Sequence, residues 1–187
     1  AMARVYACRK ADPIPISGKD VLLMTQIAFF DDPQRCADQA NALAEELERR
    51  IDAGIGVFPK GTKRILLTGT PMAIPNWKMH HIIETSGAAV VCEECCTGTR
   101  YVEHLVDERP MMMEGQLQAL ADRYMKNNCA CFTPNKGRID DIIRLAEAYH
   151  ADGVIDVNLK FCTLYDTEKR DVKRTLKAAG IPVLSLE

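Results

Sequence analysis

The sequence has no basic excess, no long apolar run and no leader-like start, and each absence removes a class of function. Its 24 Lys and Arg stand against 26 Asp and Glu, a net charge of −2. A nucleic-acid footprint needs a basic surplus on some face, so none is expected. No apolar stretch approaches the roughly 20 residues that span a bilayer, and a membrane role is not expected either. The N-terminus lacks the basic-then-apolar pattern of a secretory signal, which makes the cytoplasm the expected compartment. Ala1-Met2 reads as an appended start, so the 187 residues are expected to be a piece of a longer protein. Internal repeats and low-complexity segments are also missing.

What is present in excess is cysteine, eight in all. Nothing suggests a small secreted disulfide scaffold. In a reducing compartment, clustered cysteines point to metal or redox chemistry. Cys8 and Cys36 stand alone. The others gather as Cys92, Cys95 and Cys96, then Cys129 and Cys131, then Cys162.

Residues 1–60 read as a helical arm. Ser17 caps a helix over 18–30, and Asp32-Pro33 is a cap followed by a first-turn proline for the next. There Cys36, Ala40, Leu43, Leu47 and Ile51 share one apolar stripe, which makes Cys36 a core residue. From residue 61 the pattern changes. Short apolar runs at 64–68, 88–92, 153–158 and 181–186 alternate with helical stretches at 76–86, 114–127, 137–150 and 167–179. That alternation predicts a parallel sheet covered on both faces. With right-handed crossovers, the expected fold is an α/β, flavodoxin- or Rossmann-like three-layer domain over 61–187, strand order 2-1-3-4. Met111-Met112-Met113 is expected to pack onto apolar surface as a loop.

Function in such sheets collects at the carboxyl ends of the strands. Cys92 is expected to close strand two, Cys96 to lie in the loop beyond it and Cys162 just past strand three, so all three would emerge on one edge. Thiolates select zinc, copper(I) or iron–sulfur clusters. Cys92 and Cys95 have zinc-like spacing, but Cys129 and Cys131 are too tight for a good second pair. Spacing alone leaves iron–sulfur, zinc and inert buried thiols open. Gly69-Thr70-Pro71 reads as a structural turn in preference to a phosphate cradle. His80 and His81 read as packing or surface residues, and Glu93 and Glu94 as caps or solvated carboxylates.

Longer motifs carry a resemblance. The run 63–71, ending Thr68-Gly69-Thr70-Pro71, with Pro75-Asn76-Trp77-Lys78 after it, resembles the 2-hydroxyacyl-CoA dehydratase subunit family. So do residues 90–101, which include Cys92-Glu93-Glu94-Cys95-Cys96-Thr97-Gly98, and Lys160-Phe161-Cys162. The arm's Arg9-Lys10-Ala11-Asp12 and the ending 180–187 fit as well. The resemblance implies two flavodoxin-like domains with an iron–sulfur cluster between them, this chain being the second. It implies Cys162 as the ligand common to the family. In the related double-cubane branch, which the sequence resembles more, Cys92, Cys96 and Cys129 would be ligands too. Cys95, Cys131 and Arg100 are further site candidates. The implied cofactor is a [4Fe-4S] cubane or a double-cubane [8Fe-9S] cluster, which the chain alone would not hold intact.

The implied partners are the N-terminal domain, a second copy or homologous subunit, an ATP-hydrolysing activator with its own iron–sulfur centre, and an acyl-CoA or other small substrate. The implied chemistry is electron injection, a ketyl radical on the 2-hydroxyacyl thioester and loss of water. The isolated piece would be inactive. The competing expectation is a non-catalytic α/β module with structural zinc or inert thiols.

Overall fold

A computed structural model describes residues 1–132 and 134–187. In the sequence Thr133-Pro134-Asn135 reads as a turn or cap, and its first residue, Thr133, lies outside the described residues. Four strands, β1 (Lys63–Gly69), β2 (Ala88–Glu94), β3 (Gly153–Val157) and β4 (Val183–Leu186), form one sheet. The order is β2-β1-β3-β4 and every pair is parallel, as the alternation of apolar runs and helices predicts.

The helices are α1 (Met2–Cys8), α2 (Gly18–Ile27), α3 (Pro33–Asp52), α4 (Lys78–Thr85), α5 (Thr99–Val102), α6 (Met113–Met125), α7 (Lys136–Ala148) and α8 (Thr163–Ala178). Ser17 caps α2 by accepting from the Asp20 amide, and Asp32 caps α3 by accepting from that of Arg35. Successive strand residues face opposite sides. Leu66 joins a large core with Ala89, Ile142 and Val172, whereas Leu67 joins a smaller one with Val90, Ile83 and Met72. Helical residues from 1–60 belong to the larger core, among them Val5, Val21, Ala44 and Leu47.

Several boundaries depart from expectation, and two of them move the site. β2 runs on to Glu94, so Cys92 lies inside the strand. The register slips between Ile65 and Leu66, which face Val90 and Cys92 in turn. α8 begins at Thr163, which makes Cys162 its N-cap. β4 starts after Pro182, whose carbonyl still accepts from the Val154 amide although its own nitrogen has no hydrogen to give. Met111, Met112 and Met113 do not pack onto apolar surface. All three are exposed, and Met113 opens α6.

The turn after β1 is structural. Gly69 has φ +106, and a Cβ there would collide with the Val157 carbonyl. The Thr70 amide donates to the Val157 carbonyl at 2.8 Å, and the Thr70 hydroxyl accepts from the Leu159 amide at 3.1 Å. These groups are committed to joining β1 and β3, and this favours the turn reading over a phosphate cradle.

Candidate thiol-lined site at the carboxyl edge of the sheet

Beyond Glu94 the chain turns sharply through Cys95–Gly98 into α5. A side chain on Gly98 would strike the Glu93 backbone, so only glycine fits there. Cys95 points inward, with its sulfur 3.4 Å from the Thr97 hydroxyl, which in turn donates to the Met72 carbonyl. Burial pushes the Cys95 thiol up to about 12. Cys96, one residue on, is exposed.

Arg100 organises this edge. Its Nε donates to Glu94 Oε1 at 2.5 Å and its Nη1 to the Tyr165 hydroxyl at 3.0 Å. Nη1 also lies 3.9 Å from the Cys96 sulfur. Tyr165 sits in the first turn of α8, directly after the half-exposed Cys162. Cys96 and Cys129 share the wall of a cavity of about 850 Å³ that Arg100 and Arg123 also line. Cys131 is exposed. The neighbouring Cys129 thiol raises its pKa, and Cys96 adds to the rise.

The structure sets Cys96 and Cys129 on one cavity wall with Cys131 close by, and places Cys162 at the N-cap of the helix that meets the same arginine. Among the described residues, however, no three Cys, His, Asp or Glu side chains form a group that could hold a metal ion. The structure does not bring Cys92 to the other thiols. Cys92 is fully buried in the larger core, and desolvation holds its thiol well above the usual range. Cys36, expected in the core, is half-buried and lines the cavity instead.

Glu93 and Glu94 are neither caps nor solvated. Glu93 accepts two hydrogen bonds from Arg9, at 2.6 and 2.8 Å, and lies 3.1 Å from His80 Nε2. His80 is thus a buried packing residue, in line with its expected role. Glu94 also accepts from the Thr68 hydroxyl at 2.5 Å and lies 3.4 Å from Arg138 Nε. Arg138 gave no signal in the sequence, because a charged residue in an amphipathic helix reads as solvated; Asp156 in β3 and Tyr165 in α8 were not singled out either.

Phe161, just before Cys162, has φ +69 and is 89% exposed. The left-handed region costs a bulky residue about 1–2 kcal/mol. Phe161→Gly is therefore expected to stabilise this chain, by up to about 1 kcal/mol once the glycine's own entropy is counted. Urea unfolding checks this. A loss of stability would mean that the ring makes contacts that outweigh the strain.

The profile of the family described as 2-hydroxyglutaryl-CoA dehydratase, D-component, matches residues 1–187. The chain belongs to this family. It is 31% identical over 189 residues to the Escherichia coli (strain K12) protein YjiM, named for a dehydratase subunit, covering 100% of this chain and 48% of that protein. To the (R)-phenyllactyl-CoA dehydratase beta subunit of Clostridium sporogenes it is 24% identical over 161 residues, covering 86% of this chain and 40% of the relative. The chain thus spans about half the length, or less, of these curated relatives. Among the described residues, no helix is long and apolar enough to cross a membrane.

Proposed function

We propose that this chain is the C-terminal, cluster-holding α/β domain of a 2-hydroxyacyl-CoA dehydratase-like protein, with residues 1–60 as its helical arm. The observation that carries the reading is the Arg100 junction. One buried guanidinium lies beside Cys96 and bonds to Tyr165, three residues after Cys162, while Cys129 shares the same cavity wall as Cys96. Soft, accessible thiols with a fixed cation nearby suit an anionic thiolate-ligated cluster. Cys96, Cys129 and Cys162, with Cys131 as an alternate, fit that role by accessibility. Cys92 and Cys95 fit it less well, since burial keeps both protonated.

When bound, a [4Fe-4S] or double-cubane cluster would accept a low-potential electron and pass it to a small acyl-CoA-type substrate. This chain's residues would do the rest. Arg100 offsets negative charge at the edge, and Glu94 and Tyr165 hold Arg100 in place. The remaining ligands would come from the other half of the full-length protein. A second copy or homologous subunit and an ATP-hydrolysing activator would complete the system.

The test is iron and acid-labile sulfide on anaerobically purified full-length protein, with Cys96→Ser and Cys129→Ser beside it. Both elements should be present, and one or both variants should lose a substantial share. Zinc without sulfide would overturn the reading in favour of a structural metal site.

A further inference from the structure

Behind the thiol edge, at the carboxyl end of β3, lies a second polar site that the cluster reading does not use. Asp156 is the penultimate residue of β3, and Asn158 lies two residues on, just past the strand's end. Both are almost fully buried. Neither oxygen of Asp156 and neither amide atom of Asn158 has a hydrogen-bond partner among the described residues, and Glu168 Oε1 and Arg138 Nε are equally bare. Buried polar groups are rarely left so. Each is costly unless something small fills the gap.

Every charged group facing Asp156 can be named. Arg138 on α7 is 3.7 Å away, Lys169 and Glu168 approach from α8, and Glu94 approaches from β2. Arg138 is committed elsewhere, donating to Glu168 at 2.7 Å and to the Thr68 hydroxyl at 2.9 Å. With two cations already present, a metal ion is not what the site lacks. Water, which both donates and accepts, together with a proton on the carboxyl, would satisfy the bare atoms of Asp156 and Asn158.

We infer that Asp156 is a proton-binding site, served by water seated between Asp156 and Asn158 and reached from solvent past Glu168 and Lys169. Burial moves its pKa the same way, from 3.8 up to about 6, with Glu94 and Glu168 adding to the rise and Arg138 and Lys169 opposing it. A short file then joins it to the thiols: Arg138 to Thr68 and Glu94, Glu94 to Arg100, and Arg100 to Cys96. Arginine does not release its proton, so the file transmits charge and not protons. Its role in the reaction rests on the cluster reading. When an electron from a one-electron donor arrives at the thiol edge, the Asp156 carboxylate takes one proton from bulk water, and the added negative charge is cancelled.

The test uses full-length protein and Asp156→Asn, an isosteric change that keeps a neutral side chain. Infrared spectra between about pH 5 and about pH 8 should show an un-ionised carboxyl band that fades as pH rises and is missing in D156N. A band unchanged in D156N overturns the inference. So does stabilisation by potassium over sodium that D156N loses, since a cation would then be the occupant.

As a control on folding, D156N should gain stability relative to wild type as pH rises from about 4 to about 6. An acid with a raised native pKa loses its native advantage as it ionises, and asparagine does not ionise. Reduction of the protein by a viologen dye in weak buffer should then draw up more protons in wild type than in D156N. Equal uptake removes the link to the thiol edge. Absence of iron and sulfide would instead sink the cluster reading, because the infrared arm does not depend on the cluster.

Discussion

Arg9→Met should destabilise this domain by about 3–5 kcal/mol, because it strands a charge inside the protein. Arg9 and Glu93 are both essentially without solvent contact. Arg9 also donates to the Val90 carbonyl at 2.9 Å, while its own carbonyl accepts from Arg64 at 2.6 Å. One side chain therefore ties α1 to β2 and, through its backbone, to β1.

Burial alone would raise the Glu93 pKa. The Arg9 charge and the hydrogen bonds from His80 and Arg9 outweigh it and hold Glu93 at about 2. A carboxyl depressed in the native state contributes stability that is present above its unfolded value of about 4.5 and is lost as pH falls toward 2. In Arg9→Met the sign reverses, since burial then dominates and stability should worsen as pH rises through the carboxylate range.

Urea denaturation across pH reads both effects. Arg9→Met combined with Glu93→Gln should recover much of the loss, because a neutral pair buries no orphan charge. A cost below about 1 kcal/mol for Arg9→Met alone would show that the pair contributes no more than a surface one.

Arg9 also shows where the sequence was legible and where it was not. The strand order followed from four short apolar runs separated by helices, a pattern set by burial on both faces of a parallel sheet. The end of β2 did not follow. Glu93-Glu94 looks like the polar end of an apolar run, yet both carboxylates are buried because arginines from elsewhere reach them. Arg9 is 84 residues from Glu93, and Arg138 meets Thr68 across 70. No local pattern announces such pairs.

The same error propagated to Cys92. Two further residues of strand put it in the core, while Cys96 beyond the true end reached the edge. Cys96 and Cys162 were expected at one edge, with Cys92, because each was read as following the end of a strand, whereas Cys129 entered only through the family resemblance. Arg100 was legible only as a candidate, and its partner Tyr165 emerged once α8 was seen to begin at Thr163.

Cys162→Ser in the full-length protein is expected to abolish normal cluster assembly, with iron and sulfide both lost. Serine is a poor ligand where iron prefers thiolate. The position makes this a clean test. Cys162 is the N-cap of α8 and makes no side-chain capping bond, whereas serine is among the preferred caps. The fold should therefore be kept or slightly strengthened while the iron goes, so ligand loss is not confused with unfolding. Cys92→Ser should behave in the opposite way. Cys92 is fully buried in the larger core, which also holds Tyr149 and Val91, and an unpartnered hydroxyl there costs about 1–3 kcal/mol. Stability should fall and iron content should hold. If Cys92→Ser instead loses about half the iron while a single cubane remains, the double-cubane ligand set stands and β2 must open at Cys92 to supply it. Should Cys162→Ser keep its full iron and sulfide, Cys162 is not a ligand, and the cluster would have to be held by Cys96, Cys129 and the absent half alone.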